Sequence, residues 1–208
     1  MKWLARLRGG RVAAPPPEPP VETAEATLER SSPALAALFR TLPDDGSASF
    51  LDLGPAGSRH LRLLGRYARQ IRFAGLLPRP HGDPTWAESI RSLPANESDP
   101  YDVVLAWDLL DRVRPEERPA LIERIDRITA PGARVYFLVR SSAATLIRPI
   151  HFTLLDVDRV GQREVGPPEP AQAELVPAQV ERMLPPFRVT HAYYLRSGWR
   201  EYLVAKGD

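Results

Sequence analysis

Apolar residues recur in two rhythms along this chain, one close to 3.6 and one continuous, and the two alternate. Leu35, Leu38, Phe39 and Leu42 fall at i, i+3, i+4 and i+7 behind Ser32 and Pro33, an N-cap and first-turn pair. They predict an amphipathic helix that covers the edge of a sheet. Residues 49–53 read as a short apolar strand, and residues 58–70 as a helix with Leu61, Leu64 and Ala68 inward and Arg59, Arg62, Arg66 and Arg69 along the opposite face. A second strand is predicted over 71–77 and a short helix over 85–93, the latter with Trp86, Ile90 and Leu93 on one side. Residues 101–107 are a continuous apolar run, the signature of a strand buried on both faces of a parallel sheet. A helix over 115–129 carries Leu121, Ile122, Ile125 and Ile128, Pro131-Gly132 turns the chain, and residues 135–139 give another buried strand. Strand and helix in this alternation predict an α/β protein with a doubly wound, mostly parallel sheet.

Beyond Arg140 the pattern changes. Residues 151–157 predict a strand, 166–170 a proline-rich loop, and 177–184 a short helix with Val180, Met183 and Leu184. Residues 187–195 and 199–205 flank Arg196-Ser197-Gly198, the length and chemistry of a hairpin turn, so an antiparallel hairpin closes the sheet.

The amino end is of another kind. Lys2, Arg6, Arg8 and Arg11 put four positive charges and no negative one in the first twelve residues, with Trp3, Leu4 and Leu7 on one arc of a short helical segment that Gly9-Gly10 ends. Residues 13–20 are rich in proline and favour polyproline II, a stiff spacer of about 25 Å. The organisation expected is an extended arm over residues 1–22 and one α/β domain over 23–208. An interfacial tryptophan beside arginines suits a lipid headgroup layer or an acidic partner surface, although a solvated tail has the same composition.

With 208 residues, 43% of them hydrophobic and 26% charged, the chain is long enough for one ordinary core. It has no cysteine, which excludes disulfides and thiolate metal sites. No apolar run approaches the roughly 18 residues of a membrane-spanning helix, and the first residues lack the apolar stretch of a signal peptide. A cytoplasmic address, peripheral at the membrane face, is the expectation. The net charge is only +2 and the basic excess lies in the arm, so nucleic acid is not an expected partner. Lys2 and Lys206 are the only lysines among 28 basic residues, a composition that fits a GC-rich bacterial genome.

Candidate chemistry concentrates at one turn. Phe50-Leu51-Asp52-Leu53-Gly54-Pro55-Ala56-Gly57-Ser58 runs from an apolar strand through an acidic residue and a glycine turn into a helix start. Asp108 stands at the end of the strand over 101–107, where it could meet a substrate or bond within a loop. His60, His81, His151 and His191 have no metal-ligand spacing, and no metal is expected. No Walker loop, Gly-x-Ser-x-Gly elbow or His-Glu-x-x-His helix occurs.

The order of elements, residues 50–54, the Tyr101-Asp102-Val103-Val104 strand with Leu109-Leu110-Asp111-Arg112-Val113 behind it, the Pro-Gly turn and the closing hairpin together resemble the class I S-adenosylmethionine-dependent methyltransferases. The resemblance covers most of residues 33–205 and implies a Rossmann-like methyltransferase fold with a C-terminal antiparallel hairpin. It also implies where S-adenosylmethionine would bind: at Asp52, Gly54 and Gly57, with Asp108 nearby. Three departures weaken that site. The later glycine positions of the first turn hold Ala56 and Ser58, with Gly57 displaced by one. Strand two ends in Leu76-Leu77-Pro78-Arg79, where the family keeps an acid for the ribose hydroxyls. Only 23 residues, from Pro78 to Pro100, replace a helix, a third strand and the adenine loop. Losing a charge-assisted bidentate contact costs roughly 2 to 4 kcal/mol.

The expectation is therefore a non-catalytic, methyltransferase-like structural subunit with no cofactor. It would be anchored through Lys2, Trp3, Leu4, Arg6, Leu7, Arg8 and Arg11 to a larger assembly, for example a membrane-embedded photosynthetic reaction centre with its antenna. The alternative is an active S-adenosylmethionine-dependent methyltransferase acting on a small molecule or lipid.

Overall fold

The computed structural model describes residues 27–76, 85–95, 99–141 and 144–207. The proposed anchor residues of the arm lie outside the described residues, as do Leu77, Pro78, Arg79, His81 and Asp83.

Strand β1 (Leu28–Ser31) leads into α1 (Pro33–Arg40), whose first turn is held by the Ser32 hydroxyl accepting from the Leu35 N–H at 3.4 Å. Leu35, Leu38 and Phe39 are buried as their spacing predicts, and α1 packs across the closing-hairpin half of the sheet. Then follow β2 (Ala48–Asp52), α2 (Ser58–Leu64), β3 (Ala68–Phe73), α3 (Trp86–Arg91) and β4 (Tyr101–Trp107). Next come α4 (Leu109–Arg112), a 3-10 turn, α5 (Arg118–Ile128) and β5 (Thr129–Arg140). A strap of short strands, β6 (Leu146–Ile147), β7 (Ile150–Asp156), β8 (Arg159–Glu164) and β9 (Glu169–Pro170), precedes α6 (Pro177–Met183) and the hairpin of β10 (Phe187–Tyr194) and β11 (Trp199–Lys206).

The central sheet has the order β10-β11-β5-β4-β2-β3. Strands β5, β4, β2 and β3 are parallel, and β11 is antiparallel to both its neighbours. Gly198, at φ 82°, closes the hairpin turn in a conformation that side chains disfavour. Between β3 and β4 the described residues contain α3 but no strand, in keeping with the short segment available there.

One sheet face buries Leu51, Leu53, Val104, Val135, Phe137 and Val204 under α3, α4, α5 and α6. The other buries Phe50, Val103, Leu105, Tyr136, Leu138 and Leu203 under α1 and α2. Phe152, Leu154 and Val160 of the strap join that second core.

Around α2 the expectations need correction. The helix over 58–70 stops at Leu64, because the chain must turn at Gly65 for β3 to pair with β2; Ala68 and Arg69 are strand residues. Leu61 faces outward, 50% exposed, since α2 rests on the strap through His60 and Leu64 instead. The arginine stripe is accordingly divided: Arg66 pairs with Asp44 at the surface and Arg69 with Asp99. The strand expected over 151–157 is present as β7 and lies outside the main sheet. It pairs with β8, and β8 with β1, in a separate antiparallel sheet ordered β1-β8-β7.

Candidate functional site

The strand order reverses between β2 and β4. From β2 the chain crosses outward to β3, and from β4 it proceeds the other way to β5, so the crevice beyond the carboxyl ends of β2 and β4 is the topological switch point where open α/β sheets bind ligands. Asp52, Gly54 and Trp107 stand at this point.

Asp52 is fully buried, and its carboxylate is spoken for by the chain itself. Oδ1 accepts from the Gly54 N–H at 2.8 Å and from the Trp107 indole Nε1–H at 2.6 Å. Oδ2 is 2.7 Å from His60 Nδ1. On the far side of that ring, Nε2 accepts the Leu154 N–H at 2.8 Å, which leaves the ring hydrogen on Nδ1 to donate to Asp52. A line of hydrogen bonds thus runs from β2 through α2 to strap strand β7. Three donors around one buried anion supply the compensation that such a charge requires.

Trp107 is buried beside this turn. Its indole stacks on Phe152 with ring centroids 5.4 Å apart and planes within 5°. It also meets Tyr136 edge-on at 5.7 Å and lies 5.7 Å from the His60 ring. The backbone of Trp107 has φ 49°, in the left-handed region, and it is the one non-glycine residue with positive φ among the described residues. For a bulky aromatic such a φ is a genuine outlier, with a cost of about 1 to 3 kcal/mol, and it persists only where the surroundings hold it. Here those surroundings are the Asp52 hydrogen bond and the stack with Phe152.

Gly54 takes a different meaning in this light. A Cβ placed there would lie 3.0 Å from Trp107 Nε1, 3.1 Å from Asp52 Oδ1 and 3.2 Å from Trp107 Cδ1. The absence of a side chain lets the indole edge come against the Gly54 backbone. Gly57 is the N-cap of α2 with extended backbone, and a Cβ there would meet nothing nearer than 3.8 Å. After β3, Ala74, Gly75 and Leu76 continue to pair with the first turn, with Gly75 N donating to Gly54 O at 3.1 Å, and Leu76 is buried in the core. No acid is offered to a ribose by these residues.

Asp108 points to neither a cap nor an open pocket. Its carboxylate accepts from Arg112 Nε at 2.9 Å in an ion pair buried at both ends, and Arg112 Nη2 donates to Ile150 O of the strap. The structure therefore brings Asp52 and Gly54 together with Trp107, leaves Gly57 aside, and commits Asp108 to an internal pair. Among the described residues no group of three or more potential metal ligands converges.

A second concavity lies beyond the end of β5. A cleft of about 430 Å³ is lined by Asp111, Arg140, Thr145, Gln172 and Glu174, among others. Asp111 accepts the Arg140 N–H on Oδ2 at 2.7 Å, and burial pushes its carboxyl up to about 7. Nearby, Arg112 Nη1, Arg140 Nε and Arg200 Nε are buried without a hydrogen-bond partner among the described residues. Sequence reasoning missed Trp107, Phe152 and Asp111. Trp107 carried a signal: a tryptophan ending an otherwise aliphatic strand, where the family-like pattern has a small or polar residue.

Comparison with solved structures finds S-adenosylmethionine-dependent methyltransferases. The chain is similar to the 1,6-didemethyltoxoflavin-N1-methyltransferase of Burkholderia thailandensis, solved with 1,6-didemethyltoxoflavin and S-adenosylhomocysteine, at 17% identity and TM-score 0.52 over 85% of this chain and 77% of that one. A methyltransferase from Mesorhizobium loti gives 13% identity and TM-score 0.54 over 84% and 96%. An amino pentose methyltransferase of calicheamicin biosynthesis from Micromonospora echinaspora, solved with S-adenosylmethionine, gives 15% and 0.52 over 83% and 88%. By sequence, no family model and no curated protein matches the chain. Likeness at these identities defines the class of fold: this chain has the Rossmann-like fold of the class I S-adenosylmethionine-dependent methyltransferases.

Proposed function

We propose that this protein keeps the methyltransferase fold without the methyl donor and serves as a non-catalytic interaction subunit. The observation that carries the reading is the occupied switch point: the Trp107 indole lies against Gly54 and binds the Asp52 carboxylate. S-adenosylmethionine does not fit the residues present. The described end of β3 offers no carboxylate for its ribose, and the Trp107 indole, stacked on Phe152, crowds the first turn at Gly54. In this reading the arm, with Trp3, Leu4, Leu7 and the arginines around them, holds the domain to a larger assembly or to an acidic membrane surface on the cytoplasmic side. None of the described helices is long and apolar enough to cross a membrane.

Calorimetric titration of the full chain with S-adenosylmethionine tests the first half, and the expected result is no heat of binding at concentrations up to about 1 mM, where even weak specific binding registers. Micromolar binding would defeat it. The second half is tested by comparing recovery with membranes of the full chain and a chain beginning at Val21. The expected result is that the shorter chain is lost to the supernatant, and equal recovery would remove the arm's role.

A second reading, a working methyltransferase for a small molecule, is favoured by the fold's likeness to such enzymes and by the retention of Asp52 and Gly54. The same titration decides it.

A further inference from the structure

Arg140, the last residue of β5, lines both the cleft of about 430 Å³ and a neighbouring depression of about 410 Å³. Its guanidinium lies over the Trp199 ring, 4.5 Å from the centroid, and Nη2 donates to Arg148 O at 3.4 Å. It has no carboxylate partner among the described residues. Two nearby arginines differ: Arg112 pairs with Asp108 at 2.9 Å, and Arg200 lies 3.7 Å from Glu174. In the same cleft Asp111 is bonded through Oδ2, which accepts the Arg140 N–H, while Oδ1 has no partner among the described residues. We propose that the cleft beyond β5 binds a small organic carboxylate, with one of its oxygens on the Arg140 guanidinium and the other on Asp111 Oδ1. The inference goes beyond the reading of the switch point and holds whether or not a methyl donor binds there.

Charge, hydrogen bonding and wall chemistry each support it. Around Asp111 lie Asp108 and Arg112 on its own helix, Arg118 of α5, Arg140 of β5, Glu169 of β9, and Glu174 with Arg200 of β11. Burial pushes the Asp111 carboxyl up to about 7 and raises Glu169 as well. With Asp111 protonated, four arginines stand against three acids, and an anion would offset the excess. A protonated Asp111 also has a donor to give. Its Oδ2 already accepts from the backbone, so the hydrogen belongs on Oδ1, where a ligand carboxylate can accept it. Stacking on Trp199 holds the guanidinium plane in place, which favours a planar two-oxygen partner. The remaining wall is apolar at Ala144, Ile147, Ala171 and Ala173, and it suits a carbon body better than a bare ion.

The test is a titration of the full chain with benzoate at pH 6 and pH 8, followed through the ¹H–¹⁵N resonance of the Arg140 amide, whose proton bonds Asp111. Saturable binding is expected at pH 6. Benzoate stays an anion at both values, so ionisation of Asp111 is expected to weaken binding about tenfold by pH 8. Asp111→Asn keeps a donor without the proton equilibrium, and its affinities at the two pH values are expected to agree within about twofold. Arg140→Gln is expected to bind at least about tenfold more weakly at pH 6. Benzamide, the neutral counterpart, is expected not to bind. No saturable shift with benzoate at pH 6 up to about 50 mM would overturn the proposal, as would equal affinity of the unaltered protein at both pH values. Tighter binding of inorganic phosphate than of benzoate would also overturn it, because the apolar wall would then contribute nothing. If Arg140→Gln does not fold, the pH dependence of the unaltered protein against Asp111→Asn still decides.

Discussion

The two concavities at the carboxyl end of the sheet have opposite chemistry. Beyond β2 and β4, the Asp52 carboxylate is bonded by the Gly54 N–H, the Trp107 indole and His60, and the indole stacks on Phe152. Beyond β5, Asp111 has one oxygen bonded and its carboxyl pushed up to about 7, and Arg112, Arg140 and Arg200 each have a buried nitrogen without a partner among the described residues. In the first region the polar atoms are satisfied internally; in the second several are left open among the described residues. The position of a crevice in a fold therefore does not say whether it still receives anything.

That contrast is tested most strongly at Trp107. Replacement by alanine removes a stacked ring and a donor to a buried anion, and a loss of about 3 to 5 kcal/mol in denaturant unfolding is expected, the range for large aromatic truncations in a core. A loss below about 1 kcal/mol would mean that the ring lies loosely in the crevice. Asp52→Ala comes next. It strands the Gly54 N–H, the Trp107 indole N–H and His60 Nδ1, with an expected loss of about 3 kcal/mol. Solvent entering an open crevice would satisfy those donors and reduce the effect.

Asp111 should behave in the contrary sense. Its folded pKa of about 7 lies above the unfolded value near 3.9, so the folded state holds the proton more tightly. Stability contributed by this group is therefore present at low pH and declines as pH rises from about 4 to about 7, where the unfolded chain releases a proton that the folded chain retains. Three units correspond to about 4 kcal/mol, and contact with the cleft lowers the expected effect toward about 2. Asp111→Asn should flatten this slope and stabilise the protein at pH 8 relative to pH 5, by parallel unfolding at the two values. An unchanged slope would place the titration elsewhere. The smallest effect expected is that of Phe152→Leu, which keeps the bulk and loses the stack, at about 1 kcal/mol.

Much of this architecture was legible in the residues. Ser32-Pro33 with Leu35, Leu38 and Phe39 specified α1, the run over 101–107 specified β4, and Arg196-Ser197-Gly198 specified the closing hairpin. What escaped depended on non-local choices. Leu61 has the spacing of a core residue, but a strap strand 90 residues later takes the other side of α2 through His60, and no local pattern carries that information. The shift of β3 to residues 68–73 follows from pairing with β2 rather than from apolar periodicity, which favoured the later residues. At the site, Asp52 and Gly54 were identified as a nucleotide turn because their spacing is shared by proteins in which a ligand completes them. The Trp107 indole beside that turn belongs to a residue 53 positions beyond Gly54, and it comes into view only once β4 lies beside β2.

The most direct trial of the occupied crevice is a crystal structure grown in millimolar S-adenosylhomocysteine. The account predicts the Trp107 indole over Gly54, its nitrogen on the Asp52 carboxylate, as without ligand. Adenosine density above Gly54, with the indole swung away, would contradict it.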